Sequence, residues 1–290
     1  MHDLSDQPIG VFDSGIGGLS VLKALMAELP HERFVYVADS ANAPYGERAD
    51  AFVSRRTLAI ADYLTQRHHI KALVVACNTA TAAAIHEARQ LYPRMPVIGI
   101  EPALKPAVAL TRTGRVGVIA TTGTLASAKF AALLDSMHGQ ADFVIQPCPG
   151  LAHAIEQSVE LPNESGTSGP VYQLCQSNLQ AMGPFGHGPG QIDTLVLGCT
   201  HYVFATPALR ELAGPDILLL STGEPVARHT GRLLDSQGLR SETRLHATLP
   251  LLLTNGALSA LQSAADRWLG LPAQHCQIAD GLAQETAHKR

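Results

Sequence analysis

LVVACNT, at residues 73–79, is an apolar run of strand length that ends in a small residue, a cysteine and a polar pair. LVLGCTH, at residues 195–201, has the same form. The binding crevice of an open α/β sheet lies at the carboxyl ends of its parallel strands, so each run predicts a buried strand that delivers a thiol there. Two such strands predict that Cys77 and Cys199 face one ligand.

Strand and helix patterns alternate around these two runs. Strand patterns occur at 8–12, 34–38, 96–100 and 115–120, and helical spacing occurs at 19–29, 49–67, 80–90 and 102–110. Repeated strand–helix units are typical of parallel sheets covered by helices. The sequence therefore predicts an α/β fold with mainly parallel sheets flanked by helices.

The chain also contains an internal repeat. GVFDSGIGGLS at 10–20 and GVIATTGTLAS at 117–127 share glycine, valine and serine at an offset of 107, with a leucine in each copy displaced by one position, whereas Cys77 and Cys199 lie 122 positions apart. Two turn-rich tracts at 161–170 and 183–190 account for the longer second copy, and we expect both to be surface loops. The repeat predicts two pseudo-symmetric α/β lobes with the active site in the cleft between them.

The repeat also suggests where the lobes begin and end. We expect 1–100 with about 222–270 to form lobe one, which carries the Asp13 loop and Cys77. About 101–221 should form lobe two, which carries the loop at 121–124 and Cys199. Residues 271–290 are expected to be a C-terminal tail, with a frayed end at 284–290.

Composition narrows the class of protein. The chain has 21 basic and 25 acidic residues, a net charge of −4 and no basic stripe interleaved with aromatics, so no nucleic acid partner is required. No apolar run approaches a membrane span and no signal segment begins the chain, so we expect a cytoplasmic protein with no membrane contact. The five cysteines show no C-x-x-C pair, which argues for reduced thiols and against a metal site. A homodimer is left open.

Paired thiols suggest a particular chemistry. A cysteine thiol titrates near pH 8.5, so it can accept a proton in one state and donate one in the other. Two thiols on opposite faces of a carbon acid can invert the centre by removing a proton from one face and delivering one to the other. Cys148, Cys175 and Cys276 lack the strand-end context and are interpreted as buried structural residues.

The loop DSGIGG at 13–18 has two interpretations. It fails as a dinucleotide fingerprint because Ser20 stands where the last glycine is needed. At the start of a helix its N–H groups, with the Ser14 hydroxyl, can hold a carboxylate. The alternative is that Asp13 and Ser14 only cap the helix.

Two further observations concern the reaction. His201 lies two residues after Cys199, and histidine is the side chain best able to exchange protons near neutral pH. None of the five lysines lies in a motif loop, which argues against a pyridoxal phosphate Schiff base. We therefore expect no cofactor.

Several motifs in order resemble the glutamate racemase family of the cofactor-independent aspartate/glutamate racemase superfamily. They are VFDSGIGGL (11–19), APYG (43–46), ACNTAT (76–81), GIEPA (99–103), ATTGT (120–124) and LGCTHY (197–202). The resemblance runs from about residue 8 to 269. Departures at Phe130, 203–204 and 221–223 leave every catalytic group in place and concern the packing and closure of the lobes.

The resemblance implies roles for individual residues. Cys77 is expected to act on D-glutamate and Cys199 on L-glutamate, with Asp13 and His201 assisting the thiols. Glu156 matches a further supporting glutamate, although its sequence alone also fits a solvated helix residue. The substrate-binding positions implied are Asp13, Ser14, Pro44, Tyr45, Gly46, Asn78, Thr79, Thr121, Thr124, Thr200 and His201. The implied product, D-glutamate, feeds peptidoglycan synthesis.

Two alternatives stay open. One is the same chemistry on aspartate or a related diacid, since one methylene is worth only about 1–3 kcal/mol of discrimination. The other is a non-catalytic two-lobed protein that binds an amino acid. Retention of both thiols with Asp13 and His201 argues against the second, because ligand binding alone needs no proton-transfer residue on each side.

Overall fold

A computed structural model describes residues 4–160, 169–241 and 249–282. The strands are β1 Ile9–Asp13, β2 Phe34–Ala38, β3 Ala72–Val75, β4 Val97–Gly99, β5 Arg115–Ala120, β6 Asp142–Pro147, β7 Thr194–Leu197, β8 Leu218–Leu220, β9 Leu251–Thr254 and β10 Cys276–Ile278. The helices are α1 Leu19–Glu28, α2 Asp50–His68, α3 Asn78–Leu91, α4 Leu104–Leu110, α5 Thr122–Ala126, α6 Ala128–Asp135, α7 Leu151–Gln157, α8 Pro170–Met182, α9 Thr206–Ala213, α10 Gly223–Ser236 and α11 Leu258–Leu269.

The strands form two parallel sheets. One has the order β10-β9-β2-β1-β3-β4 and the other the order β6-β5-β7-β8. Every pairing between these strands is parallel, which confirms the predicted α/β fold with mainly parallel sheets flanked by helices. The order β2-β1-β3-β4 recurs as β6-β5-β7-β8, so β3 and β7, the strands before the two cysteines, hold equivalent places.

The first sheet has a hydrophobic core on each face. Side chains alternate along a strand, so Val74 of β3 packs into one core and Leu73 and Val75 pack into the other. Helix α1 covers the first face and α2 the second. Burial on both faces is why these strands are continuous apolar runs rather than alternating ones.

The chain after β8 returns to the first sheet. Helix α10 packs against α1 through Val226, Ala227 and Leu234, and β9 pairs with β2. Residues from 271 on were expected to form a tail, but β10 pairs with β9 and Cys276 packs into a core of the first sheet. This edge strand has only three residues, of which the first is buried and the other two are exposed, so it leaves no alternating pattern from which it could be predicted.

One of the two turn-rich tracts lies mostly outside the described residues. Of the tract at 161–170, residues 161–168 lie outside the described residues, as does the end at 284–290, and Pro170 begins α8. Within the tract at 183–190, Phe185 forms an isolated bridge with Ile192. No helix in the part of the chain that the structure describes is long and apolar enough to span a membrane.

Candidate active site

The two cysteines lie at the carboxyl ends of the equivalent strands β3 and β7. Cys77 is the N-cap of α3, and its Sγ accepts a hydrogen bond from the Ala80 N–H at 3.5 Å. Cys199 precedes a 3-10 turn that spans Thr200–Ala205. Their exposed fractions are only 6% and 7%. Both thiols are therefore held in a low-dielectric environment where neighbouring charges act strongly.

Cys77 lies beside residues of the loop after β1. Its Sγ is 3.7 Å from the Ser14 Oγ. Asp13 is fully buried and accepts the Gly18 N–H on Oδ2 at 2.7 Å, whereas its Oδ1 has no hydrogen-bond partner among the described residues. Burial raises the pKa of Asp13 to about 6, against the opposing effect of His201. Burial, followed by the charge of Asp13, raises the pKa of the Cys77 thiol.

Cys199 lies beside a histidine–glutamate pair. Its Sγ is 3.6 Å from Nδ1 of His201, and Nε2 of His201 is 2.7 Å from Oε1 of Glu156. Burial alone would lower the pKa of His201, but hydrogen bonds with Cys199 and Glu156 outweigh it and hold that pKa well above its usual range. A protonated imidazole at this position can stabilise or protonate a thiolate.

The Glu156 carboxylate also contacts the Asp13 loop. Its Oε1 accepts the N–H of Ile16 at 2.7 Å. The N–H groups of this loop thus hold carboxylates of the protein itself, from Asp13 and Glu156. Only the N–H groups of Ile16 and Gly18 are engaged in this way, so the interpretation that the loop, with the Ser14 hydroxyl, also holds a ligand carboxylate stays a prediction.

Three threonine hydroxyls meet where the two sheets face each other. Oγ1 of Thr79 lies 3.1 Å from Oγ1 of Thr121 and 3.3 Å from Oγ1 of Thr124. Thr121 also caps α5 by accepting the Thr124 N–H at 3.2 Å. Thr200, which follows Cys199, is also buried, and its carbonyl accepts the Ser20 hydroxyl at 3.1 Å.

Asn78 is the clearest signal of a ligand-binding position. The residue is 5% exposed, yet neither the oxygen nor the nitrogen of its side-chain amide has a hydrogen-bond partner within the described residues. A buried amide without partners costs roughly 1–3 kcal/mol, so it is retained where it serves another purpose. Its position beside Cys77 suits a ligand that supplies both a donor and an acceptor.

The loop that carries Pro44, Tyr45 and Gly46 is anchored to the first sheet by the buried Asp39. The Tyr45 hydroxyl donates to Asp39, so its hydrogen is already engaged by the protein. Gly46 lies against Thr121, and a Cβ there would approach the Thr121 Cβ to 2.7 Å. The loop therefore joins the first sheet to the threonine cluster.

The residues that anchor this loop were missed in the sequence. Asp39 is fully buried after β2, and it accepts hydrogen bonds from Arg56 Nη2 at 2.7 Å, Asn42 Nδ2 at 3.1 Å and Asn255 Nδ2 at 2.5 Å. Its place at a strand's carboxyl end, like that of Asp13, was the available signal. Arg56 and Asn255 come from α2 and the end of β9, and no local pattern connects them.

The other three cysteines form no hydrogen bond with these groups among the described residues, although Cys148 and Cys175 pack into the same hydrophobic core as Cys199. Cys148, Cys175 and Cys276 are buried, and burial raises the pKa of Cys148 and of Cys175 to about 12. No cluster of three or more histidine, cysteine or acidic residues within the described ranges could hold a metal ion. The titratable groups that the structure brings together here are the two thiols, Asp13, Glu156 and His201.

The fold and this site define a class: a duplicated α/β protein in which each half ends an equivalent strand on a buried cysteine with its own acid–base neighbour. The family model for Asp/Glu/Hydantoin racemase matches residues 10–228. The chain belongs to this family of racemases.

The relatives found by sequence similarity include glutamate racemases. A glutamate racemase of Stutzerimonas stutzeri is 48% identical over 232 residues, which cover 80% of this chain and 83% of the relative. A glutamate racemase of Ralstonia pickettii is 45% identical over 271 residues, which cover 93% of this chain and 90% of the relative.

Solved structures of glutamate racemases superpose on nearly the whole length of this chain. A glutamate racemase isoform from Bacillus anthracis superposes with a TM-score of 0.80 at 31% identity, covering 97% of this chain and 100% of that one. A glutamate racemase from Francisella tularensis, solved in complex with D-glutamate, gives a TM-score of 0.77 at 28% identity and covers 95% and 99%.

Proposed function

We propose that this protein interconverts L-glutamate and D-glutamate by proton transfer at Cα between Cys77 and Cys199, without a cofactor. The observation that carries the proposal is the pair of thiols on equivalent strand ends, one beside Asp13 and the other beside His201 and Glu156. The glutamate racemases among the relatives support the choice of substrate.

The proposed reaction balances with two protein groups. The Cys199 thiolate takes the proton from Cα of L-glutamate, and the electron pair of that bond stays on Cα as a carbanion. The Cys77 thiol then donates its proton to the opposite face, which gives D-glutamate and a Cys77 thiolate. The reverse reaction exchanges the two roles, and nothing is oxidised or reduced.

The different neighbours suit these roles. Burial and the Asp13 charge raise the pKa of Cys77, which favours the neutral thiol that donates a proton to form D-glutamate. The cation on His201 lies 3.6 Å from the Cys199 Sγ, where it stabilises the thiolate that removes a proton from L-glutamate. Glu156 orients the imidazole through its other nitrogen.

The substrate is proposed to bind between the sheets. The unpartnered amide of Asn78 offers one donor and one acceptor. The hydroxyls of Ser14 and Thr79, with the N–H groups after each cysteine, offer further contacts to the amino and carboxylate groups. The remaining proposed contacts are Asp13, Pro44, Tyr45, Gly46, Thr121, Thr124, Thr200 and His201, with Tyr45 contributing through its backbone.

We assign residues 1–100 with about 222–270, extended by β10, to lobe one, and about 101–221 to lobe two. Both thiols must stay reduced to carry protons, and reduced thiols persist in the cytosol, so we place the reaction in the cytoplasm. There D-glutamate supplies peptidoglycan synthesis. The proposed site is built from a single chain, so it requires neither a partner subunit nor nucleic acid.

The decisive experiment compares Cys77→Ala and Cys199→Ala with Cys175→Ala, the loss of a buried thiol in α8 that is not among the proposed acid–base or substrate-binding residues. We expect each of the first two to reduce racemisation by at least about 10³-fold, since each removes an essential acid–base group, whereas Cys175→Ala keeps the activity. Deuterium should enter Cα from heavy water with wild-type protein. Activity that survives either alanine change would refute the two-thiol mechanism.

Chiral analysis of the products tests the substrate. Wild-type protein is given L-glutamate and L-aspartate in turn, and we expect D-glutamate to form with the higher kcat/KM. A preference for aspartate would assign the protein to the alternative diacid reaction. Calorimetric binding of glutamate with no inversion would instead indicate a binding protein.

A further inference from the structure

The Asp13 loop contains two glycines whose backbone does not require glycine. Neither Gly15 nor Gly17 has the left-handed φ that favours glycine, whereas ten other glycines among the described residues do. An alanine could adopt either backbone conformation. The reason for glycine at these positions must therefore be space.

The space is occupied by the acid–base groups of lobe two. A Cβ on Gly15 would overlap the carboxylate of Glu156 and lie 2.7 Å from its Cδ. A Cβ on Gly17 would overlap the His201 ring, with 2.6 Å to Cε1 and 2.7 Å to Cγ. Real Cβ atoms essentially never approach other heavy atoms this closely. Between the two glycines, the Ile16 N–H donates to Glu156 at 2.7 Å.

We propose that Gly15 and Gly17 are positioning residues for the reaction: they form a bare backbone surface on which Glu156 and His201 of the other lobe are seated. The Ile16 N–H fixes the carboxylate, the carboxylate fixes Nε2 of the imidazole, and Nδ1 is thereby directed to the Cys199 Sγ. Lobe one thus completes the acid–base group that belongs to lobe two. The inference rests on the proposed racemase function and deepens it.

A consequence is that the Cys199 side of the site is complete only when the lobes meet. Asp13 and Ser14 reach Cys77 from within the same lobe, through the parallel neighbours β1 and β3. His201 and Glu156 need the glycine surface of the opposite lobe to keep their orientation. Loss of that surface should therefore impair Cys199 and leave the Cys77 contacts intact.

The test is a double-mutant cycle on racemase activity with Gly15→Ala, Glu156→Asp and the double variant. We expect Gly15→Ala to lower kcat about 100-fold, because a misplacement of about 1 Å in a catalytic group has that effect. Glu156→Asp withdraws the carboxylate by one methylene and removes the overlap. In that background Gly15→Ala should change kcat by no more than about twofold.

Gly231→Ala in α10 is the matched control for glycine replacement. Its Cβ would meet mainly the far end of the Arg240 side chain, at 2.9 Å, and it lies outside the site. We expect wild-type kcat and KM from this variant. Thermal unfolding of all variants shows whether each is folded, and Gly17→Ala, which acts on His201 directly, supplies a second position.

A readout independent of turnover is the titration of the His201 imidazole by NMR, assigned from the signal that disappears in His201→Gln. Its pKa is raised by hydrogen bonds with Cys199 and Glu156, so it should fall in folded Gly15→Ala and Gly17→Ala and stay unchanged in Gly231→Ala. Multiplicative losses of kcat in the double variant, or an unchanged His201 pKa, would overturn the inference. A wild-type protein that fails to racemise glutamate would refute the proposed function instead.

Discussion

At Cys77 and Cys199 the same residue type, delivered by equivalent strands, meets neighbours of opposite charge. The duplicated strand supplies the thiol, whereas the neighbours come from other parts of each half: Asp13 from the end of β1, and His201 from the turn after Cys199 itself. Mirror-image substrates require nearly mirror-related bases. The residue-level differences then allow each thiol to be tuned separately.

Asp13→Asn should remove one contribution to the pH dependence of the free energy of unfolding. Burial raises the folded-state pKa of Asp13 to about 6, so between about pH 4 and 6 the folded state binds more protons than the unfolded state and the free energy of unfolding falls as the pH rises. The asparagine variant lacks this loss. Between pH 4 and pH 8, the free energy of unfolding of the variant should therefore rise by about 3 kcal/mol relative to that of the wild-type protein.

Asp193→Asn is a control of opposite sign for this measurement. Burial alone would raise the pKa of Asp193, but hydrogen bonds led by that of Thr111 outweigh it and lower that pKa, so its stabilisation is present at neutral pH and lost in acid. Urea denaturation at several pH values gives the free energy of unfolding of each variant relative to the wild-type protein. Plotted against pH, this difference should have slopes of opposite sign for the two variants. Parallel slopes would contradict the assignment of a raised pKa to Asp13.

Asn78→Ala should separate stability from substrate binding. The Asn78 amide is buried without a partner in the described residues, so its removal should raise the free energy of unfolding, by up to about 1 kcal/mol, while KM for glutamate rises at least about tenfold. Chemical denaturation and steady-state kinetics measure the two effects.

Asn178→Ala is the matched control for a buried amide with partners. The Asn178 amide donates to the Leu174 carbonyl at 2.7 Å and accepts from Gln146 at 3.2 Å. Its removal should destabilise the fold by about 1 kcal/mol and leave KM unchanged. If Asn78→Ala destabilised the protein to the same extent with no change in KM, Asn78 would be a structural residue.

At the scale of elements, the sequence predicted strands well and helix starts less well. The strand at 34–38 was predicted with the bounds found for β2, because a strand buried on both faces is a continuous apolar run. Helix α3 begins at Asn78 instead of near residue 80, since Cys77 caps it by accepting the Ala80 N–H. Cysteine is not among the preferred N-cap residues, so no capping preference could have indicated this start.

The loop after β2 shows what strand-end reasoning left out. No sequence pattern indicates a role for Asp39, yet its carboxylate joins α2, the loop at 39–46 and the end of β9. The sequence identified Tyr45 and Gly46 through family resemblance, without showing what holds them. Contacts at separations such as 216 residues, between Asp39 and Asn255, leave no periodic trace in the chain.

Asp39→Asn should destabilise the fold and loosen this loop. The substitution removes the carboxylate partner of the buried Arg56 guanidinium, and breaking a buried ion pair in this way costs about 3–5 kcal/mol. Urea denaturation measures the loss, and KM for glutamate should rise because the backbone of this loop is proposed to contact the substrate.

Glu224→Gln provides the comparison for an exposed ion pair. It breaks the exposed pair between Glu224 and Arg228 in α10, where a change of no more than about 1 kcal/mol is expected. Equal effects of Asp39→Asn and Glu224→Gln would show that the Asp39 cluster adds nothing beyond a surface pair.

At the scale of the whole molecule, the internal repeat predicted more than composition could. The matched segments at 10–20 and 117–127 begin within β1 and β5, and each of these strands lies between equivalent neighbours in its sheet. The return of α10, β9 and β10 to the first sheet was foreseen only in part. It depends on packing such as that of Leu234 against the α1 core, which the repeat does not encode.

The halves touch through contacts of different kinds. They include the threonine hydroxyls of Thr79, Thr121 and Thr124, the Ile16 N–H with Glu156, and the Ser20 hydroxyl with the Thr200 carbonyl. Most of these polar groups lie in or beside the proposed site. Changes in the relation between the lobes should therefore be coupled to the occupancy of the site.

The only tryptophan of the chain offers a direct measure of that coupling. Trp268, near the end of α11, stacks on Phe204 with ring centroids 3.6 Å apart and an interplanar angle of 5°, and Phe204 lies in the same 3-10 turn as His201. Any shift of lobe two relative to α11 changes this stacking. Glutamate should thus produce a saturable change in Trp268 emission, with a midpoint close to KM.

Phe204→Leu tests the origin of that signal. The variant removes the stacked ring and should abolish most of the emission change, at a stability cost of about 1 kcal/mol for the lost aromatic pair. Tyr172→Phe, at the exposed hydrogen bond between α8 and α9, should retain the full change. If saturating glutamate left Trp268 emission unchanged while racemisation proceeded, the lobes would keep one relation throughout turnover, and the Cys199 side would be assembled before the substrate arrives.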